Sequence, residues 1–206
     1  DFGNNTFPIN TLASLNPNGN IWLGFNSTTT QLEFEIYSSN ILLGRIYSSQ
    51  FVSTNTWTHI AVTVDAARNM TLYINGIAGN ATIGYVPLSS TAPNLVRTNN
   101  YIGKSNWALD ASFKGSIYDA RVYDDARTAL EIQSDLKGQI DTTDPQLRLA
   151  YSFDGNYSSS VSSLGSATPV NSPTFSTGTV NATTMKILGR DVIDSNNSFA
   201  ISAQTL

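Results

Sequence analysis

Residues 57–65, WTHIAVTVD, and shortly after them residues 70–77, MTLYINGI, decide the fold. In the first stretch Ile60, Val62 and Val64 alternate with Trp57, His59, Ala61 and Thr63. A period of two sends successive side chains to opposite faces of a strand. In the second stretch Asn75-Gly76 can take the positive φ angles of a type I′ turn between Tyr73-Ile74 and Ile77. A strand, a second strand and a tight turn predict an antiparallel β protein.

The same pattern extends outward in both directions. In QLEFEIYSS, residues 31–39, Leu32, Phe34 and Ile36 oppose Glu33, Glu35 and Tyr37. NNYIGKSN (99–106) and FKGSIYDARVYD (113–124) read as two further strands; in the latter Ile117, Asp119, Arg121 and Tyr123 alternate with Tyr118, Ala120 and Val122. MKILGRDVI (185–193) and SFAISAQTL (198–206) return to strand character late in the chain. Short strands at this spacing predict two packed sheets. A single helix interrupts them over residues 128–136, where Thr128 and Glu131 form a capping box, Leu130, Ile132 and Leu136 supply the apolar contacts, and Gly138 is the stop.

The polar, proline-containing stretch GQIDTTDPQLR (138–148) is the strongest boundary signal. Residues 157–184 are rich in Ser, Thr, Gly and Pro and predict mostly loop with short strands.

Composition narrows the function classes. The 206 residues are 13% charged, about half the usual share, so Ser, Thr and Asn must hydrate the surface, as in secreted and cell-surface chains. A net charge of −4 without clustered Lys or Arg disfavours nucleic acid and anionic membranes as partners. No apolar run is long enough to insert in a bilayer. The absence of cysteine excludes disulfides and thiolate metal sites. A start on Asp1 rather than Met is expected of a processed product or a piece of a longer chain.

Taken in order, WTHIAVTVD, MTLYINGI, YIGKSNW and FKGSIYDARVYDDARTALEI resemble the laminin G-like domain of the concanavalin A-like jelly-roll superfamily, over residues 57 to about 137. The resemblance implies an all-β, two-sheet antiparallel jelly-roll sandwich with one short helix. It also implies an extracellular or cell-surface module of adhesion or recognition. Domains of that family open on a segment like LRLAYSFDG (147–155) and reach a strand like SFAISAQTL before the block just quoted; here both follow the helix. Residues 1–140 therefore resemble the last two thirds of a sandwich, 141–146 a linker, and 147–206 the first third. That third either completes its own sandwich or a neighbouring copy's, unless the chain cuts across two tandem repeats. Self-association follows as the expected partnership, through strand complementation, with glycans or cell-surface proteins as the other partner classes.

The expected function is non-catalytic, structural or adhesive; the alternative is a calcium-dependent carbohydrate-binding module. Relatives in the superfamily hold Ca²⁺ at a sandwich rim, and the oxygen donors Asn106, Asp110 and Asp154 are the candidate ligands here. Trp107, in the same loop, is the candidate sugar platform. Glycosidases of the superfamily carry an acidic cluster on a strand; Glu33 and Glu35, roughly 7 Å apart along the strand, lack the third acid and read as a solvated face. The single histidine, His59, reads as a packed residue, Trp57 as core, and Tyr118 and Tyr123 as sheet packing. Sequons occur at Asn26, Asn69, Asn80, Asn156 and Asn181, as well as Asn4 and Asn196, a number close to chance for this composition; Asn26 and Asn80 read as the most accessible.

Overall fold

The computed structural model describes residues 19–26, 31–39, 41–79, 86–90, 99–105, 110–137, 140–161, 165–176, 179–181, 185–187 and 198–205; beyond Phe175 the description is of backbone alone. Fourteen strands and one helix are described: β1 (Ile21–Phe25), β2 (Gln31–Ser38), β3 (Ile41–Phe51), β4 (Trp57–Val64), β5 (Met70–Ile74), β6 (Ile77–Ala78), β7 (Asn100–Ile102), β8 (Gly115–Tyr123), α1 (Ala129–Lys137), β9 (Leu147–Tyr151), β10 (Thr168–Pro169), β11 (Thr174–Ser176), β12 (Thr179–Asn181), β13 (Met185–Ile187) and β14 (Ser198–Thr205). All the pairings between them are antiparallel.

A large sheet runs β11-β12-β8-β14-β4-β5-β6, with β9 also paired to β8. A small sheet β1-β2-β3 packs against it, and β10-β13-β7 form a third group. The alternation in β2 and β4 explains the packing: Leu32, Phe34 and Ile36 of one strand meet Ile60, Val62 and Val64 of the other in a shared core with Leu72 and Ile74. Each such side chain, fully buried, contributes about 1.5–3 kcal/mol. The Asn75-Gly76 turn forms as expected, with φ of 51° and 75°. Asn75 closes it onto β4, its Oδ1 accepting from the His59 amide at 2.9 Å.

β1 and β3 are additions to the sequence reading. IWLGF is an apolar run without alternation, and β3 carries Gly44 and two serines, so neither shows a clean strand signature. Gly44 is there because the layers come close: a Cβ would lie 3.0 Å from the Leu88 Cα.

β14 is an interior strand. Phe199 is the cross-strand partner of Val62 on one side and Val122 on the other, so the last described residues of the chain join β4 to β8. β9 lies along the other edge of β8, and Leu149, Tyr151 and Phe153 share a core with Ile117, Ala120 and Val122.

That core corrects the strict alternation expected in β8. Between Asp119, opposite Ser202, and Ile117, opposite Ala203, β8 has one residue more than β14. The extra residue, Tyr118, is extruded at a β-bulge, so Ile117 turns inward with Ala120 and Val122 while Tyr118 is 49% exposed rather than packed in the sheet.

The helix begins with its capping box. Glu131 Oε2 accepts from the Thr128 amide at 2.7 Å, and the Glu131 amide donates back to Thr128 Oγ1 at 3.3 Å. α1 covers part of the outer face of the large sheet, where Ile132 packs on Ala61 and Tyr73. The expected apolar stripe is narrower than the sequence implied: Leu130 is 78% exposed and Leu136 is also exposed. Charge does the rest of the docking. Arg121 on β8 pairs with Asp119 at 2.7 Å and reaches Asp135 of the helix at 3.4 Å, while Arg127 pairs with Asp144 at 2.8 Å and lies over the Tyr123 ring at 4.1 Å.

Candidate functional site

Two surfaces of the sandwich carry chemistry. The first is the outer face of the small sheet, opposite the core face of β2. Glu33 and Glu35 project there, with Trp22 and Gly24 of β1 on one side and Arg45 and Tyr47 of β3 on the other. Neither glutamate is solvated as the sequence implied: they are 5% and 8% exposed. Arg45 accounts for the difference, placing its guanidinium within 2.9 Å of Glu33 and in direct contact with Glu35. Asn26 donates its side-chain amide to Glu33 at 3.2 Å. A cation between two acids lets both be withdrawn from water.

Burial pushes the Glu35 carboxyl up to about 7, reinforced by the charge of Glu33 and a hydrogen bond with it, and opposed by Arg45. Both carboxyls are buried and held by the one guanidinium of Arg45, so the pair does not present the open, solvent-filled gap between two acids that glycoside hydrolysis uses.

The second surface is a groove on the outer face of the large sheet beside the end of α1. It has a volume of about 240 Å³ and is lined by Trp57, Thr58, His59, Asn75, Tyr118 and Leu136. Trp57 is not core but 44% exposed, because β4 begins there and its outer face extends past the cover that Ile132 provides. Its ring meets Tyr118 edge to face, 6.4 Å between centroids. His59 is packed, as expected, at 6% exposure, with Nδ1 lacking a hydrogen-bond partner. Burial lowers its pKa to about 4, and Arg121 adds to this against the pull of Asp119, so the ring is neutral.

The residues expected to bind calcium are placed as follows. Asp110 accepts a hydrogen bond from Ser105 through Oδ2, while its Oδ1 is buried without a partner. Burial raises its carboxyl, against the Ser105 bond that lowers it. Asp154 is exposed in the turn after β9, its carbonyl accepting from Asn156 at 3.2 Å. Asn106 and Trp107 lie outside the described residues, as do Asn4, Asn80, Asn196 and the side chain of Asn181. Among the described residues no group of three acidic or histidine side chains is placed to hold a metal ion. Of the remaining sequons Asn69 and Asn156 are exposed, but Asn26, expected to be open, is half-buried against Glu33.

Both surfaces were only partly visible in the sequence. The alternation put Glu33 and Glu35 on one face, but Arg45 comes from a strand that the pattern did not reveal. Trp57 and Tyr118 are 61 positions apart in the chain, and only the bulge turns Tyr118 outward.

A two-sheet sandwich with its helix on one outer face and ligand-sized polar and aromatic surfaces is a module of the binding or adhesive class. A family model described as the concanavalin A-like lectin/glucanases superfamily matches residues 4–133. The chain belongs to that superfamily. Its laminin G-like domains are generally not catalysts and are commonly extracellular. The match takes in residues ahead of the block at 57–137 that carried the resemblance and ends before β9. No curated protein and no solved structure matches the chain. No described helix is long and apolar enough to cross a membrane.

Proposed function

We propose that the chain is a non-catalytic, extracellular structural and adhesive module that associates with copies of itself by strand complementation. The observation that carries this reading is the position of β14. A strand from the last residues of the sequence occupies the slot between β4 and β8 and is paired along both edges. The backbone bonds in that slot are indifferent to whether the strand arrives from the same chain or the next one, and a head-to-tail arrangement that does not close gives a filament. The low charge content and the wide use of Ser, Thr and Asn support an extracellular setting. The burial of Glu33 and Glu35 against Arg45 supports the absence of glycosidase chemistry.

Sedimentation of the full chain over a range of concentrations tests it, alongside a variant ending at residue 197. The full chain is expected to form concentration-dependent oligomers, and the shortened chain to stop assembling and to take up a synthetic peptide of residues 198–206. A full chain that stays monomeric at every concentration would overturn the reading.

The second reading, calcium-dependent glycan binding around Asp110, is favoured by one observation, the buried and unpartnered Oδ1 of that residue. Asn106, Asp154 and Trp107 would be its other participants. A rise in thermal stability on adding calcium, lost in Asp110→Ala, is the expected result; no response to calcium removes this reading.

A further inference from the structure

We infer that the slot between β4 and β8 selects its strand by residue size on the outer face of the sheet. The partner it fits is the β14 segment of a second copy, and His59, Ala61, Asp119 and Arg121 are the specificity-determining residues. This deepens the self-assembly reading and rests on it for the source of the strand; the size rule holds whichever copy supplies it. Register defines the walls. Ser202 of β14 is the cross-strand partner of His59 on one edge and Asp119 on the other, and Ala200 is the partner of Ala61 and Arg121. All four wall residues are buried.

The space between those walls is closed. α1 lies over this part of the outer face, with Ile132 packed on Ala61 and Asp135 reaching Arg121 at 3.4 Å. Arg121 is also held to Asp119 at 2.7 Å. Nδ1 of His59 has no contact with solvent and no hydrogen-bond partner, so no water-filled gap stands beside it. Burial is the main cause of the lowered His59 pKa, and Asp119 and Arg121 act on the ring in opposite senses from across β14, so the three side chains border one volume. A large residue at position 200 or 202 has to displace the helix or part Asp119 from Arg121. Both are costly in a closed interior, the first because packed side chains are driven off their rotamers, the second because each charge is left without water.

β14 meets this rule. Its alternate residues Ser198, Ala200 and Ser202 are small, while Phe199 and Ile201 between them are opposite Val62 and Ile60 of the core. No other described strand of five residues or more has three successive alternate positions filled by Gly, Ala or Ser. β1 brings Trp22, β5 Tyr73 and β9 Arg148 where a small residue is required. A slip of β14 by one residue fails in the same way, since it sets Phe199 or Ile201 against Arg121. Two unpaired strand edges are a template for any extended segment. These walls restrict the template to one, so copies can join through β14 without pairing through their other strands.

The test keeps the full chain and reads slot occupancy by hydrogen exchange at the β4 and β8 amides, with sedimentation run in parallel. Ser202→Leu is expected to speed exchange at those amides at least about tenfold, the scale of one overpacked side chain. Ser202→Ala, which stays small, is expected to keep the protection of the parent chain. Adding His59→Ala to Ser202→Leu makes room in the wall and is expected to restore part of the protection, a recovery that general destabilisation would not give. Mixed in small proportion with the parent chain, Ser202→Leu is expected to shorten the assemblies, because its slot accepts a parent strand while its own strand is refused by the next copy. A parent chain that is monomeric with β4 and β8 protected overturns the second copy as the partner, and the self-assembly reading with it. Unchanged exchange in Ser202→Leu, or no recovery with His59→Ala, overturns the size rule while assembly stands.

Discussion

Glu35 of β2 and Arg45 of β3 are cross-strand partners whose side chains form a direct ion pair on the outer face of the small sheet. The pair does not neutralise the site, because Glu33 shares the same guanidinium. With the Glu35 carboxyl raised from 4.5 to about 7, the folded protein holds a proton that the unfolded chain releases earlier. Stability from this group is therefore full below pH 4.5 and falls as pH rises towards about 7. Urea midpoints are expected to be higher at pH 5 than at pH 8, and Glu35→Gln is expected to reduce that difference.

Removing the cation leaves two carboxyls buried together. Arg45→Ala is expected to destabilise the domain by about 3 kcal/mol at pH 8, at the low end for breaking a buried pair because the guanidinium is partly exposed. The loss is expected to be smaller at pH 5, where Glu35 is protonated. Adding Glu33→Gln and Glu35→Gln to Arg45→Ala restores part of the stability; equal losses at both pH values would contradict this account.

The Asn75-Gly76 turn ties three elements together. Gly76 sits at φ 75°, and a Cβ there would be 3.1 Å from Gln133 Cγ of α1. Gly76→Ala therefore combines a left-handed backbone penalty with a clash against the helix, about 1–2 kcal/mol in all. A fall in thermal midpoint of that scale is expected, and hydrogen exchange should speed up in α1 as well as in β5 and β6.

Among the sequons, Asn156 and Asn26 are expected to separate. Asn156 is exposed in a turn, with its Oδ1 accepting from the Ser158 amide at 2.7 Å. Asn26 spends its side-chain amide on Glu33. Glycopeptide mass spectrometry of material secreted from a eukaryotic host is expected to find a glycan at Asn156 and none at Asn26.

Much of the sandwich was legible because two-residue alternation is a local signal. Leu32, Phe34 and Ile36, and then Ile60, Val62 and Val64, announce their core faces with no knowledge of what they pack on. The Asn75-Gly76 turn and the Thr128–Glu131 cap were legible for the same reason, since each is decided within four residues. β1 and β3 were not, because an apolar run and a glycine-bearing stretch fix neither face nor period by themselves.

The surfaces needed the tertiary structure. Burial of Glu33 and Glu35 depends on Arg45 arriving from the next strand, and the groove depends on a bulge that reverses the side to which Tyr118 points. A one-residue insertion in a strand exchanges its faces, and alternation cannot register it in advance. The sequence by itself determined the sheets' inner faces, the hairpin turn and the helix cap. Which strands became neighbours, and so which charged and aromatic side chains met on the outside, was decided by long-range pairing, in which β14 fills the gap between β4 and β8.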